Sequence, residues 1–185
     1  MNKDASIVAL VNPKNPTNVG AVIRAAHCFS TDQIIYSGTR YDRAARFQTD
    51  TKNAAATLPV QHSEDIFELI PFGFSIVCIE LAVGATALPQ FNHPARTAYI
   101  FGPEGGTLSQ DTINRADSVV FVPTQSSLNL AAAVNVVLYD RQAKLLQHTG
   151  HEDYDQLIRD SRDCKNRLQI VKHKRATKSA GAPDS

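Results

Sequence analysis

The sequence predicts a single α/β domain in which helices cover a parallel β-sheet. Short apolar runs alternate along the chain with segments of helical periodicity, as they do when strands and crossover helices take turns. The apolar runs lack the strict polar–apolar alternation of half-exposed strands, which favours strands buried on both faces. At 185 residues the chain is long enough for one well-packed domain and too short for two comfortable ones.

The predicted elements follow one another in a regular order. Strands are expected at residues 6–11, 33–37, 75–80, 98–101 and 118–122, and a weaker one at 58–60. Helices are expected at residues 19–29, 64–70, 110–116, 128–147 and about 154–171. The clearest of them, 128–147, carries its apolar side chains near one stripe and has Gly150 just past its end. The polar segment 40–57 is predicted to be an exposed loop with a short helix.

Composition and cysteine usage exclude several classes of protein. Hydrophobic residues make up 43% and charged residues 20% of the chain, an ordinary globular balance, and no apolar run approaches membrane-spanning length. The amino terminus lacks an apolar signal core, so we expect a cytoplasmic protein. Cys28, Cys78 and Cys164 are widely spaced and form no cluster with histidine, so neither a disulfide framework nor a bound metal is expected. A nicotinamide-dependent enzyme is disfavoured because the dinucleotide fingerprint is missing.

Basic side chains concentrate near the C-terminus, although the net charge is only +1. Between Cys164 and Ala182 there are no acidic residues and six basic ones, Lys165, Arg167, Lys172, Lys174, Arg175 and Lys178. Such a local excess suits binding to nucleic-acid phosphates, while a solvated tail explains residues 176–185 at least as well. We therefore expect a catalytic domain at residues 1–150, an amphipathic and basic helical extension at 151–175, and a disordered tail at 176–185.

The segment after the first strand, residues 12–26, carries two candidate functional groups. Asn18 stands where the helix should begin, and a capping role alone would explain it. Gly20 and Ala21 keep the first turn small enough for a ligand or another backbone to approach closely. Arg24 is flanked by Ala-Val-Ile and Ala-Ala, with no polar face around it. This environment favours a paired or functional arginine over an ordinary surface one.

Two further segments carry polar groups at strand ends. Residues 99–109 form a strand and a turn with three glycines, where the Glu104 carboxylate could pair with Arg24 or accept a hydrogen bond from a substrate; an ordinary turn is the alternative. Residues 122–135 lead into the long helix, for which Ser126 or Ser127 is a natural N-cap. Asn129 in the first turn is hard to explain by packing. The small residues 131–133 suit close packing by a threaded strand or a partner helix.

In their order and spacing, these three segments resemble the SpoU/TrmH branch of the SPOUT RNA methyltransferases. That family has Asn-x-Gly-x-x-x-Arg-like, Gly-x-Glu-like and Ser-Leu-Asn-like motifs, and the resemblance covers about residues 8–139. It implies a Rossmann-like parallel sheet whose C-terminal part is tied in a deep trefoil knot, a rare exception among folds. It also implies a homodimer whose substrate site is completed across the interface. The implied activity is methyl transfer from S-adenosylmethionine to RNA without a metal.

The resemblance implies the catalytic and cofactor-binding residues, and the distribution of basic side chains indicates the residues that contact RNA. The positions that match the family's polar residues, expected to be catalytic, are Asn18, Arg24, Glu104, Ser127 and Asn129. The residues expected to hold the cofactor are Leu81, Ile100, Gly102, Val122, Ser127 and Leu128. The residues expected to contact RNA are Lys14, Arg40, Arg43, Arg46, Lys165, Lys172, Lys174 and Arg175.

The chemical target and the RNA are less sharply implied. The Asn18/Arg24 helix and the Ser-Leu-Asn helix start favour methylation of a ribose 2′-hydroxyl. Gly-Pro-Glu-Gly-Gly is also similar to SPOUT enzymes that methylate a uridine base nitrogen, and the loop 123–127 is shorter than in many family members. A non-catalytic RNA-binding protein is a further alternative, less favoured because the whole polar set is present. Transfer RNA is preferred over ribosomal RNA, because a compact dimer suits a small substrate.

Overall fold

The computed structural model describes residues 4–45, 58–149, 154–160 and 170. They divide into two compact units, one up to residue 149 and one after it. The second unit contains a helix, Tyr154–Asp160, on which Leu157 and Ile158 are at least half exposed. The predicted helix at 154–171 is confirmed at its start, and most of the remainder lies outside the described residues.

The first unit is built on a parallel sheet, which confirms the predicted fold class. Its strands in the described ranges are β1 Ala5–Leu10, β2 Gln33–Tyr36, β3 Val60–His62, β4 Ser75–Ile79, β5 Thr86–Ala87, β6 Arg96–Phe101 and β7 Ser118–Phe121. The strand order is β3-β2-β1-β6-β4-β7-β5, and every pairing between neighbours is parallel. All the predicted strands are present, with β3 shifted two residues along the chain. The two-residue β5 was not predicted.

The helices of this unit are α1 Pro16–Cys28, α2 Arg40–Ala45, α3 Gln110–Asn114 and α4 Leu130–Thr149; we call Tyr154–Asp160 α5. The helix predicted at 64–70 is a short 3-10 turn, Ile66–Leu69, and a second such turn is Leu88–Gln90. The prediction that α4 begins at Leu128 was wrong. Leu128 precedes the helix and is 38% exposed, whereas Ala131, Val134 and Leu138 of the predicted apolar stripe are buried.

The sheet is buried on both faces, as the unbroken apolar runs predict. Val8 and Leu10 of β1 belong to the core cluster that contains the buried side chains of α1 and α4. Ile7 and Ala9 point the other way, into a second cluster that includes Leu108 beyond β6. Successive side chains of a strand point to opposite faces, so β1 supplies both cores. Both α1 and α4 therefore cover the same face of the sheet and are in contact with each other.

A polar network fixes the second half of α4 to the segment before β6. The His93 ring lies 2.6 Å from the Tyr99 hydroxyl and 2.8 Å from the Asp140 carboxylate. Asp140 also accepts a hydrogen bond from Lys144, at 2.6 Å. Arg141, only 6% exposed, donates to three backbone carbonyls at 2.6–3.3 Å. Because these groups are buried or half-buried and bonded to one another, they hold α4 in one position along the sheet.

Candidate active site

A cavity of about 620 Å³ opens at the carboxyl ends of the central strands. Its walls come from the residues after β4, the glycine turn after β6, the loop after β7 and the first residues of α4. Ligands of open parallel sheets bind at this edge, because strand ends and helix starts present free side chains and backbone groups there. The cavity is therefore the candidate functional site.

The Glu104 carboxylate joins the glycine turn to the start of α1. Its Oε2 accepts hydrogen bonds from the backbone N–H groups of Lys14, at 2.9 Å, and Asn15, at 2.8 Å. Its Oε1 accepts a hydrogen bond from Asn18 Nδ2 at 2.8 Å. Hydrogen bonds to a charged acceptor are stronger than neutral ones. Two of the three segments selected from the sequence thus meet at one carboxylate.

Asn18 is free for this contact because another asparagine caps the helix. Asn15 precedes Pro16, the first helical residue, and its side chain accepts a hydrogen bond from the Thr17 N–H at 2.9 Å. The interpretation of Asn18 as the N-cap was wrong. Asn18 lies inside the first turn of α1, and its side-chain amide lines the cavity.

The third segment reaches the same cavity through a second asparagine cap. Asn129 Oδ1 accepts a hydrogen bond from the Ala132 N–H at 2.7 Å, so Asn129, and not Ser126 or Ser127, caps α4. In the short loop before it, the Thr124 hydroxyl donates to the Ser126 carbonyl at 2.8 Å. Ser127 and Asn129 both line the cavity. The cap uses the Asn129 oxygen, and none of the described contacts uses its amide N–H groups.

Arg24 lies away from this meeting point. Six residues separate it from Asn18, which places it about 9 Å further along α1 and about 240° around the axis. Its side chain is exposed and does not line the cavity. The expected pairing of Arg24 with Glu104 is not found among the described contacts, in which Asn18 is the α1 side chain that donates to the carboxylate.

The residues expected to hold the cofactor lie on the cavity with one exception. Leu81, Gly102, Val122, Ser127 and Leu128 line it. Ile100 does not, because it lies inside β6, is fully buried and is paired with β1 on one side and β4 on the other. The turn that follows β6 needs its glycines: Gly105 has a φ of +72°, and a Cβ on Gly102 would lie 3.3 Å from Glu80 Oε2.

Glu80 is a cavity residue that the motifs did not reveal. It follows β4 directly, and its two carboxylate oxygens accept hydrogen bonds from the Leu81 and Leu108 N–H groups, each at 2.8 Å. The available signal was its position, an acidic residue at the carboxyl end of a buried parallel strand. Glu80 and Glu104 give the cavity two carboxylates. Among its described lining residues there is no lysine, arginine or histidine.

The residues expected to contact RNA are only partly described. Lys14 is exposed in the loop before α1, Arg40 is half-exposed on α2, and Arg43 belongs to α2. The others lie outside the described residues: Arg46, Lys165, Lys172, Lys174 and Arg175. Within the described ranges, no cluster of three or more His, Cys, Asp or Glu side chains is arranged to hold a metal ion. No described helix combines the length and apolar character needed to cross a bilayer.

Known proteins resemble the chain in sequence and in fold. An uncharacterised tRNA/rRNA methyltransferase of Mycobacterium leprae is 30% identical over 151 residues, covering 76% of this chain and 48% of the relative. A relative of the same description in Mycolicibacterium smegmatis is 29% identical over 142 residues, covering 72% and 45%. The chain thus spans about half the length of these curated relatives.

Solved structures share the fold. The AdoMet-bound rRNA methyltransferase from Sinorhizobium meliloti superposes with a TM-score of 0.66 at 23% identity, over 78% of this chain and 58% of that one. The TrmH/SpoU tRNA modifying enzyme of A. aeolicus superposes with a TM-score of 0.68 at 21% identity, over 85% of this chain and 86% of that one. An RNA 2′-O ribose methyltransferase superposes with a TM-score of 0.65 at 22% identity, over 78% of this chain and 58% of that one.

The model of the SpoU rRNA methylase family matches residues 5–139, from the start of β1 to the middle of α4. This range contains the sheet, the cavity and all three selected segments. The chain belongs to the SpoU rRNA methylase family.

Proposed function

We propose that the chain binds S-adenosylmethionine in the cavity and transfers its methyl group to a ribose 2′-hydroxyl of a structured RNA. The observation that carries this proposal is the meeting of Asn18, Glu104, Ser127 and Asn129 around one cavity at the carboxyl edge of the sheet. Asn18 and Glu104 are 86 positions apart in the chain, and Ser127 and Asn129 come from a third segment. Family membership and a solved relative with AdoMet bound support the same cofactor here.

The cavity fits the proposed cofactor in size and chemistry. A volume of about 620 Å³ lies within the range of about 300–1,000 Å³ usual for small-molecule sites. Leu81, Val122 and Leu128 supply apolar walls, and the glycine turn supplies bare backbone. Two carboxylates, with no basic side chain among the described lining residues, suit a positively charged molecule. We assign the holding role to these three apolar residues together with Gly102 and Ser127.

The chain's own groups must then activate the ribose hydroxyl. The bound cofactor supplies a methyl group already activated by its sulfonium, so no metal is needed for that purpose. A ribose hydroxyl is weakly acidic and loses its proton during attack, and a positioned base would contribute about 10²–10⁴-fold. A guanidinium keeps its proton in proteins, so we assign Arg24 to stabilising the developing negative charge, while the hydroxyl proton passes to solvent water as the methyl group leaves sulfur for oxygen. Asn18, Glu104, Ser127 and Asn129 orient the reacting groups.

The position of Arg24 is accommodated by a homodimer. Arg24 is exposed on α1, and it is not among the described hydrogen-bond partners of its own Glu104. Val136 and Tyr139, on the neighbouring helix α4, are 38% and 66% exposed. We propose that these surfaces of α1 and α4 pair two copies, so that Arg24 of each copy completes the cavity of the other. The exposed apolar side chains supply the contact area that such pairing needs.

The strand order supports the expected trefoil knot. Only residues 80–85 connect β4 to β5, yet β7 lies between these two strands and pairs with both. The chain beyond β7 then continues into α4, which packs against α1 on the face of the sheet. We propose that residues after β7 pass through the loop formed before β6, that 1–150 is the catalytic domain, and that the basic segment 151–175 adds RNA contacts.

Transfer RNA is the proposed substrate class, and the cytoplasm the proposed location. Purified protein should transfer labelled methyl groups from S-adenosylmethionine to transfer RNA, and alkaline digestion should leave an uncleaved bond at the modified nucleotide. Arg24→Ala should abolish transfer while retaining cofactor binding, and Arg115→Ala, a matched change outside the cavity, should leave both intact. Cleavage at the methylated position would indicate base methylation and overturn the ribose assignment. RNA binding without any transfer would favour a binding protein.

A further inference from the structure

The charge of the cavity bears on how the cofactor is exchanged after reaction. Glu80 and Glu104 both line the cavity, whose described lining residues include no basic side chain. S-adenosylmethionine carries a positive sulfonium, and loss of its methyl group leaves S-adenosylhomocysteine, a neutral thioether. An anionic cavity therefore attracts the donor more strongly than the product.

Glu80 is the carboxylate whose charge the proposed mechanism leaves unused. Glu104 is bound by three N–H donors and ties the glycine turn to α1. Among the described contacts, Glu80 receives the N–H groups of Leu81 and Leu108. The backbone of Gly102 lies so close that an added Cβ would be 3.3 Å from Glu80 Oε2. The negative charge is thus held in a fixed place on the cavity wall.

We propose that Glu80 sets the preference of the cavity for the sulfonium donor over its neutral product. This rests on the proposed function, since it concerns the same cofactor. By weakening product binding relative to donor binding, Glu80 favours departure of the thioether and its replacement by a fresh donor. Glu80 is in this sense a specificity-determining residue for the charge of the bound cofactor.

The cavity is small enough for this effect to be measurable. A compact cavity of 620 Å³ is about 11 Å across, which sets about 12 Å as the working distance between the Glu80 carboxylate and the sulfonium of a bound donor. At an effective dielectric constant of about 20, unit charges about 12 Å apart attract enough for a tenfold change in affinity. Removing the Glu80 charge should therefore lower the donor-to-product affinity ratio about tenfold.

A purely structural role for Glu80 makes a different prediction. The carboxylate also anchors the Leu108 N–H, and loss of that contact would loosen the glycine turn. A loosened turn weakens the binding of donor and product alike and leaves the ratio of their affinities unchanged. Glu80→Gln retains an acceptor oxygen and removes the charge, whereas Glu80→Asp retains the charge and shifts its position. The ratio of affinities separates the two roles.

Calorimetric titration of the full chain tests the proposal. Wild type, Glu80→Gln, Glu80→Asp and the exposed control Glu64→Gln are each titrated with S-adenosylmethionine, S-adenosylhomocysteine and sinefungin, in which a protonated amine on carbon replaces the sulfonium methyl. We expect Glu80→Gln to lose about tenfold, or about 1.4 kcal/mol, of the preference for both cationic ligands over S-adenosylhomocysteine. Glu80→Asp and Glu64→Gln should keep most of it.

An unchanged ratio in Glu80→Gln overturns the role of Glu80 and leaves the proposed function standing. Binding of neither adenosyl ligand by the wild type overturns the proposed function itself. Should Glu80→Gln fail to fold, the wild type titrated at rising salt provides the second measurement. Screening by salt should weaken the binding of S-adenosylmethionine more than that of S-adenosylhomocysteine. Equal weakening of both would contradict an electrostatic origin of the preference for the donor.

Discussion

The hydrogen bond between Asn18 and Glu104 should couple α1 energetically to the glycine turn. The bond is 2.8 Å long, joins two half-buried side chains and has a charged acceptor. Such bonds contribute about 1.5–3 kcal/mol, and partial exposure favours the lower value. We expect Asn18→Ala to lower the free energy of unfolding by about 1.5 kcal/mol. Glu104→Ala should cost about 2–3 kcal/mol, because it also removes the acceptor of the Lys14 and Asn15 N–H groups, which water can partly replace.

The double variant should be little less stable than Glu104→Ala alone, since the shared bond is lost only once. Denaturant unfolding of the wild type, the two single variants and the double variant, all at one protein concentration, gives the coupling energy. We expect about 1.5 kcal/mol of coupling with similar denaturant slopes. Effects that add within about 0.5 kcal/mol would refute the inference that this bond joins the two segments.

Three further predictions concern other parts of the chain. Asn129→Ala should lower stability by about 1 kcal/mol through loss of the α4 cap, and Asn129→Asp, which can still cap, should restore stability in thermal unfolding. Burial lowers the pKa of His93 below its usual 6.5, against the opposing effect of Asp140, so the folded state binds a proton less readily than the unfolded state. The free energy of unfolding should therefore fall as the pH decreases below about 6.5. Denaturant titrations between pH 7 and 5.5 should show that this free energy falls less steeply in the His93→Gln variant than in the wild type. Truncation after Gln169 should weaken RNA binding and flatten its salt dependence, and an unchanged slope would show that the tail makes no phosphate contacts.

The strands could be predicted because their signal is local. Runs such as the one around Val8 are apolar throughout, since β1 is buried on both faces. Thr86 and Ala87 form a strand only because β7 lies beside them, and a two-residue pairing leaves no pattern in the sequence. Pro16 did carry a usable signal for the start of α1: proline favours the first helical position, which makes Asn15 and not Asn18 the natural cap.

The site could be predicted in outline but not in its pairings. The family-like spacing of the motifs predicted that Asn18, Glu104 and Asn129 share a site. They line one cavity because each lies at a strand end or helix start on the same edge of the sheet. The direction of Arg24 depends on its angle around α1. A spacing of six residues already predicts that Arg24 lies on a different side of the helix from Asn18. The His93 network depends on contacts between distant segments, and no local pattern marks it. Glu80 carried a usable signal in its position after β4, but its contact with Leu108 could not be read from the sequence.

A map of 2′-O-methylated nucleotides in total RNA tests the proposed activity most directly. The comparison needs cells with the gene intact, deleted, and restored with the wild type or with Arg24→Ala. We predict that at least one transfer-RNA position loses its methyl group on deletion and regains it with the wild type but not with Arg24→Ala. Identical maps from all four cell lines would contradict ribose methylation by this chain.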